Sequence, residues 1–233
     1  MTRRLTNVRR GTQILLAVVL LLSCTAHQHQ SHHRRPADIQ EYLAHLERPE
    51  RDAYQKPDQV VEALDPVPGM AIADLGAGSG YFTRRFLRVL TDTGTVYAID
   101  VEQPMLDYIQ ASLEGHERAS RVQLILTTPD SHGLPARSVD LVFVCNVYHH
   151  LGNRAVYFRH AMQVLKPGGR IAVIDFYHDR RSGDVGFPRR HLVARETVIA
   201  EMTQAGYTVA KEHLFLERQY FLEFVPADHS RSQ

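Results

Sequence analysis

The chain has 233 residues, 44% of them hydrophobic and 23% charged, with 27 basic against 26 acidic side chains. That length supports one sizeable core with some chain to spare, and the balanced charge argues against a general nucleic-acid binder. Two cysteines, Cys24 and Cys145, exclude a disulfide framework and any CxxC or Cys/His zinc spacing.

Residues 1–23 hold Arg3, Arg4, Arg9 and Arg10 and no acid, so their loss would leave 23 basic and 26 acidic residues. A basic start followed by "ILLAVVLLL" (14–22) is too short to span a bilayer and reads as a signal peptide. "LLSC" resembles a bacterial lipobox, with cleavage before Cys24 and a lipid on its sulfur, which would anchor the protein to a membrane on the periplasmic side. If the start site is misassigned, the chain stays in the cytoplasm. His27, His29, His32 and His33 follow in a polar run (24–47) expected to be a solvated tether, with no metal site assigned.

Residues 39–66 read as helical, interrupted around Pro49 and Pro57, with Val60, Val61 and Leu64 at helical spacing. "MAIADLG" (70–76) is a short apolar strand ending in glycine. "YFTRRFLRVL" (81–90) is an amphipathic helix, "GTVYAID" (94–100) a strand, "MLDYIQASL" (105–113) a helix and "RVQLILT" (121–127) a strand. "VDLVFVCNV" (139–147) is nearly unbroken apolar sequence, fit for a sheet covered on both faces. A helix over 154–165 is expected to stop at Pro167-Gly168-Gly169. A strand (170–177), a helix (194–206) and a terminal hairpin over 208–225 follow, and residues 227–233 read as a tail. The alternation implies an α/β fold with a doubly wound, mostly parallel sheet, whose ligands bind beyond the carboxyl ends of the strands.

The first strand–helix turn is "DLGAGSG", residues 74–80. Glycine there lets the backbone take positive φ and pass close to a ligand. Its spacing is G-x-G-x-G with Tyr81 beyond, unlike the G-x-G-x-x-G of dinucleotide folds. Asp100 closes the second strand, where a carboxylate can accept both hydroxyls of a ribose.

"IADLGAGSGYF", "VYAIDVEQPML", "SVDLVFVCNVYHHL" and "VLKPGGRIAVIDF" resemble, in that order, the successive motifs of class I S-adenosylmethionine-dependent methyltransferases. The resemblance covers roughly residues 48–226 and is closest to a bacterial small-molecule subgroup. It implies a seven-stranded sheet with an antiparallel last strand, and S-adenosyl-L-methionine as cofactor. By it, Asp74 organises the loop, and Gly76, Ala77, Gly78 and Gly80 make room for the methionine part. Asp100 holds the ribose, Asp130 stands near the adenine, and Asn146 lines the cofactor.

Methyl transfer needs an aligned acceptor and, where the acceptor is protic, a base. "CNVYHH" at the end of the fourth strand offers His149 or His150 as that base and Tyr148 as a residue that lines the pocket or hydrogen-bonds the acceptor; Cys145 reads as a buried core thiol. The absence of an Asn/Asp-Pro-Pro-Tyr signature there disfavours nucleic-acid bases and leaves a small-molecule acceptor. Arginines in 177–195 fit either a cap over an anionic substrate or a solvated loop. Two readings stay open: a methyltransferase, or a membrane-anchored protein that binds S-adenosylmethionine or a related nucleoside without turnover.

Overall fold

The computed structural model describes residues 38–90 and 93–228. The expected signal peptide, Cys24, the histidine run 27–33 and residues 229–233 lie outside them. Among the described residues no helix is long and apolar enough to cross a membrane.

Seven strands form one sheet: β1 (Ala71–Leu75), β2 (Thr95–Asp100), β3 (Val122–Leu126), β4 (Val139–Cys145), β5 (Leu165–Phe176), β6 (Tyr207–His213) and β7 (Gln219–Pro226). Their order is β3-β2-β1-β4-β5-β7-β6. β7 runs antiparallel to both neighbours, and the other pairings are parallel. The expected doubly wound sheet with an antiparallel C-terminal hairpin is therefore present. Strand order reverses between β1 and β4, so the crevice at their carboxyl ends is where ligands bind in such sheets.

Among the described residues seven α-helices flank the sheet: α1 (Ile39–Leu46), α2 (Glu50–Gln55), α3 (Pro57–Leu64), α4 (Tyr81–Val89), α5 (Gln103–Ser112), α6 (Arg154–Ala161) and α7 (Arg195–Gln204). β4 shows why both faces need cover. Leu141, Phe143 and Cys145 face the side packed by α3 and α4, while Val142 and Val144 face the side packed by α6 and α7. This is the period-2 alternation of a strand with two apolar faces. Phe143 sits edge-on to Phe82 and Phe86, at 4.7 and 5.1 Å between centroids. Burying each such ring contributes roughly 1.5–3 kcal/mol.

Two boundaries differ from expectation. α6 ends at Ala161, and Leu165 already pairs with Val139, so Lys166–Gly169 bulge out before Arg170 pairs with Leu141. Gly168 takes φ +80° in that bulge. Lys166 then reaches Asp140 at 2.7 Å, whose carboxylate also accepts from Ala71 N–H, tying β5, β4 and β1 together. The segment expected to be a tether contains α1, capped by Asp38 accepting from the amides of Gln40 and Glu41. α1 packs on the glycine turn through Leu46, and Arg84 Nη2 of α4 donates to both carboxylate oxygens of Glu47, just after α1, at 2.6 and 2.7 Å.

Candidate functional site

The turn after β1 is built from backbone geometry. Gly76, Gly78 and Gly80 have φ of +69°, +54° and +78°. A side chain at Gly76 would also run into Val147. The amides of Gly76 and Ala77 donate to Ile99 O at 2.8 and 2.9 Å, which hooks the turn onto the end of β2. Gly78 N–H donates to Asp100 Oδ2 at 2.8 Å and Glu102 N–H to Oδ1 at 3.0 Å. The predicted ribose acid is thus held beside the predicted glycine loop. Asp74 is buried beneath it, accepts from Thr83 Oγ1 at 2.6 Å, and burial pushes its pKa up to about 6.

Arg51 of α2 was not among the expected site residues. Its guanidinium lies 3.8 Å over the Tyr81 ring and donates to Leu46 O, and its Nε is buried with no hydrogen-bond partner. Its charge acts on both Asp74 and Cys145, which places it between the ends of β1 and β4. Burial pushes the Cys145 thiol up to about 12, consistent with a neutral core thiol.

Across the crevice, a 3₁₀ turn at Tyr148–His150 follows β4, and the β5 end carries Asp175. His149 Nδ1 lies 2.9 and 2.8 Å from the two Asp175 oxygens, and both side chains are buried. Asp175 also accepts from His149 N–H and Phe176 N–H. His149 Nε2 is buried and has no partner. The His150 ring stands 4.1 Å from that of His149, and Phe187 5.4 Å. The arginine-rich segment after β5 therefore returns over His149. Arg218 holds it there through Ser182 O and Asp184 O, both at 2.7 Å. Arg195 is taken up by Glu212 and Arg181 by Asp179.

The remaining predicted positions fall elsewhere. Tyr148 is fully buried against Phe158, and its hydroxyl donates to Glu201 at 2.8 Å, so it faces the core and offers an acceptor no surface. Asn146 takes φ +58°, and its amide closes a ring with Gln55 and Gln219: Asn146 Nδ2 to Gln55 Oε1, Gln55 Nε2 to Gln219 Oε1, and Gln219 Nε2 to Asn146 Oδ1, at 3.3, 2.8 and 2.6 Å. That ring clamps α2 to the ends of β4 and β7. Asp130 is exposed in the turn after β3.

These donors fit a cationic nucleoside amino acid. The loop's three positive-φ glycines bare the backbone, Asp100 supplies a diol acceptor, and Arg51 has an unused buried N–H suited to a carboxylate.

Residues 73–171 match the family model described as a methyltransferase domain. The ubiquinone/menaquinone biosynthesis C-methyltransferase UbiE of Shewanella pealeana is 26% identical over 116 residues, covering 50% of this chain and 46% of that protein. UbiE of Vibrio parahaemolyticus is 28% identical over 109 residues, covering 47% and 42%. The chain thus matches these curated relatives over less than half of their length. Among solved structures, a SAM-dependent methyltransferase from Aquifex aeolicus aligns with a TM-score of 0.73 at 23% identity, over 81% of this chain and 98% of that one. A putative methyltransferase of Haloferax volcanii, in complex with the Trm112 activator, gives 0.66 at 15% identity, over 82% and 96%. Residues 73–171 are thus similar to a methyltransferase domain, and that similarity together with the fold implies S-adenosyl-L-methionine as cofactor.

Proposed function

We propose that the protein transfers a methyl group from S-adenosylmethionine to a small-molecule acceptor held between the glycine loop and the His149 turn. The observation that carries this reading is the meeting of two sets of groups at the strand-order reversal. Gly76–Gly80, Asp100 and Arg51 stand on the β1–β2 side, and a buried histidine with a bare nitrogen stands on the β4–β5 side.

Bound there, the cofactor would supply an activated methyl group. Asp100 would accept the ribose hydroxyls, and Arg51 would take the methionine carboxylate as a charge-assisted bond. The chain's other tasks are to orient the acceptor, exclude water and receive a proton. Phe187 and the Arg218-held segment cover the turn from solvent, and His149 stands where the acceptor's proton would leave. His150, next to it and half-buried, borders the same space. The relatives named for quinone biosynthesis support a small organic acceptor. The membrane anchor on Cys24 and a periplasmic location remain part of the proposal, carried by the sequence of residues 1–24 alone.

The test is incubation with methyl-tritiated S-adenosylmethionine and pooled small organic acceptors. Label in a small-molecule product, reduced in the Asp100→Ala variant at limiting cofactor, is the expected outcome. Tight cofactor binding with no label moved to any pool would instead favour the non-catalytic binding protein.

A further inference from the structure

The sequence offers two adjacent histidines as bases, and the structure separates them. His149 Nδ1 is engaged by a fully buried carboxylate that can only accept when ionised. Two backbone donors also reach that carboxylate. Asp175 Oδ2 accepts from the His149 backbone N–H at 3.2 Å, and Oδ1 from Phe176 N–H at 2.8 Å. Both are donors, so the acid is held as an acceptor. No arginine or lysine is paired with it among the described residues, so the ring is its one side-chain partner.

We propose that Asp175 is a positioning residue. It holds the proton of neutral His149 on Nδ1 and leaves Nε2 bare, which makes His149, not His150, the base. The inference rests on the methyl-transfer reading and narrows its substrate class. The acceptor brings its own proton, as a hydroxyl does and as a thioether or tertiary amine does not. The acceptor's O–H bond breaks as its proton passes to Nε2. The oxygen's electron pair forms the new bond to the methyl carbon, and the pair of the old carbon–sulfur bond stays on sulfur, turning the sulfonium into a neutral thioether. The imidazolium so formed is stabilised by the Asp175 anion, and its proton leaves to water after product release. The rings of His150 and Phe187 beside His149 suit a flat acceptor more than a charged one.

Asparagine at 175 keeps the shape but can present an amide N–H to Nδ1, which would drive the ring proton to Nε2 and block it as an acceptor. The experiment is two-bond ¹H–¹⁵N correlation on the full chain labelled with ¹⁵N-histidine at pH 8. His149 is assigned by the signal missing from His149→Gln. Wild-type protein should show His149 protonated at Nδ1 with Nε2 bare, and Asp175→Asn should invert or average that pattern. Asp175→Asn should also lower turnover of a hydroxyl acceptor at least 100-fold, with S-adenosylmethionine affinity kept within about twofold. Asp175→Glu should restore part of the turnover. A wild-type His149 protonated at Nε2 would overturn the proposal, and that reading needs no variant to fold. So would an unchanged tautomer, or unchanged turnover, in Asp175→Asn. The tautomer is read without cofactor, so failure of S-adenosylmethionine to bind would sink the methyl-transfer reading separately.

Discussion

Two buried histidine–carboxylate pairs stand among the described residues, and they are built differently. On the edge strand β6, His213 Nε2 meets Glu223 at 2.7 Å, its ring stacks on Phe221 at 4.2 Å, and Glu223 is shared with Arg170 at 2.7 Å. At the strand-order reversal, His149 meets Asp175 with no cation on the acid among the described residues, and its buried Nε2 has no partner. Both rings have aromatic neighbours, but the first acid has a cation to neutralise it. The second pair leaves a buried ring nitrogen without a partner, which a fold tolerates at a cost of roughly 1–3 kcal/mol.

The contrast can be broken most sharply by exchanging readouts. His149→Ala should lower methyl transfer by about 10²–10⁴-fold with cofactor affinity kept. His213→Ala should leave turnover per folded molecule near wild type and lower the unfolding midpoint. Equal losses of turnover in the two would erase the distinction.

Electrostatics beneath the glycine loop gives the next effect. Asp74 has a folded pKa near 6, above the ordinary carboxylate value, because burial disfavours its charge. Below about pH 4 both folded and unfolded states hold the proton. Between about 4 and 6 the folded state holds it and the unfolded state does not, so stability falls as pH rises through that window, by up to about 3 kcal/mol. Asp74→Asn should flatten that part of the denaturation profile; an unaltered slope would refute the assignment.

Asp100→Ala should weaken S-adenosylmethionine binding by about 1–3 kcal/mol through loss of a charged hydrogen-bond acceptor, read by calorimetry. Arg51→Gln should weaken it by a smaller amount while leaving binding of adenosine, which lacks the carboxylate, unchanged. Equal weakening for both ligands would move Arg51 out of the carboxylate role.

How much of this was legible in the sequence follows from distance along the chain. The strands were readable because apolar runs and glycine turns are local signals, and the loop and Asp100 were readable because their order is fixed by one strand–helix–strand unit. Asp175 was hidden inside "VIDFY", where an acid at the end of an apolar run looks like a strand terminus, and its partner lies 26 residues away. The ring of Gln55, Asn146 and Gln219 joins residues 91 and 164 positions apart and has no local signature. Tyr148 shares a motif with its histidine neighbours, yet a 3₁₀ turn rotates successive side chains by about 120° and sends Tyr148 to Glu201 and the core. α1 was readable as a helix, while its docking onto Gly78 was not, because it depends on Glu47 finding Arg84.

The most direct measurement of the central claim is calorimetric titration of S-adenosylmethionine into the full chain. Micromolar binding that weakens in Asp100→Ala is predicted. A folded protein that takes up no S-adenosylmethionine would contradict the account.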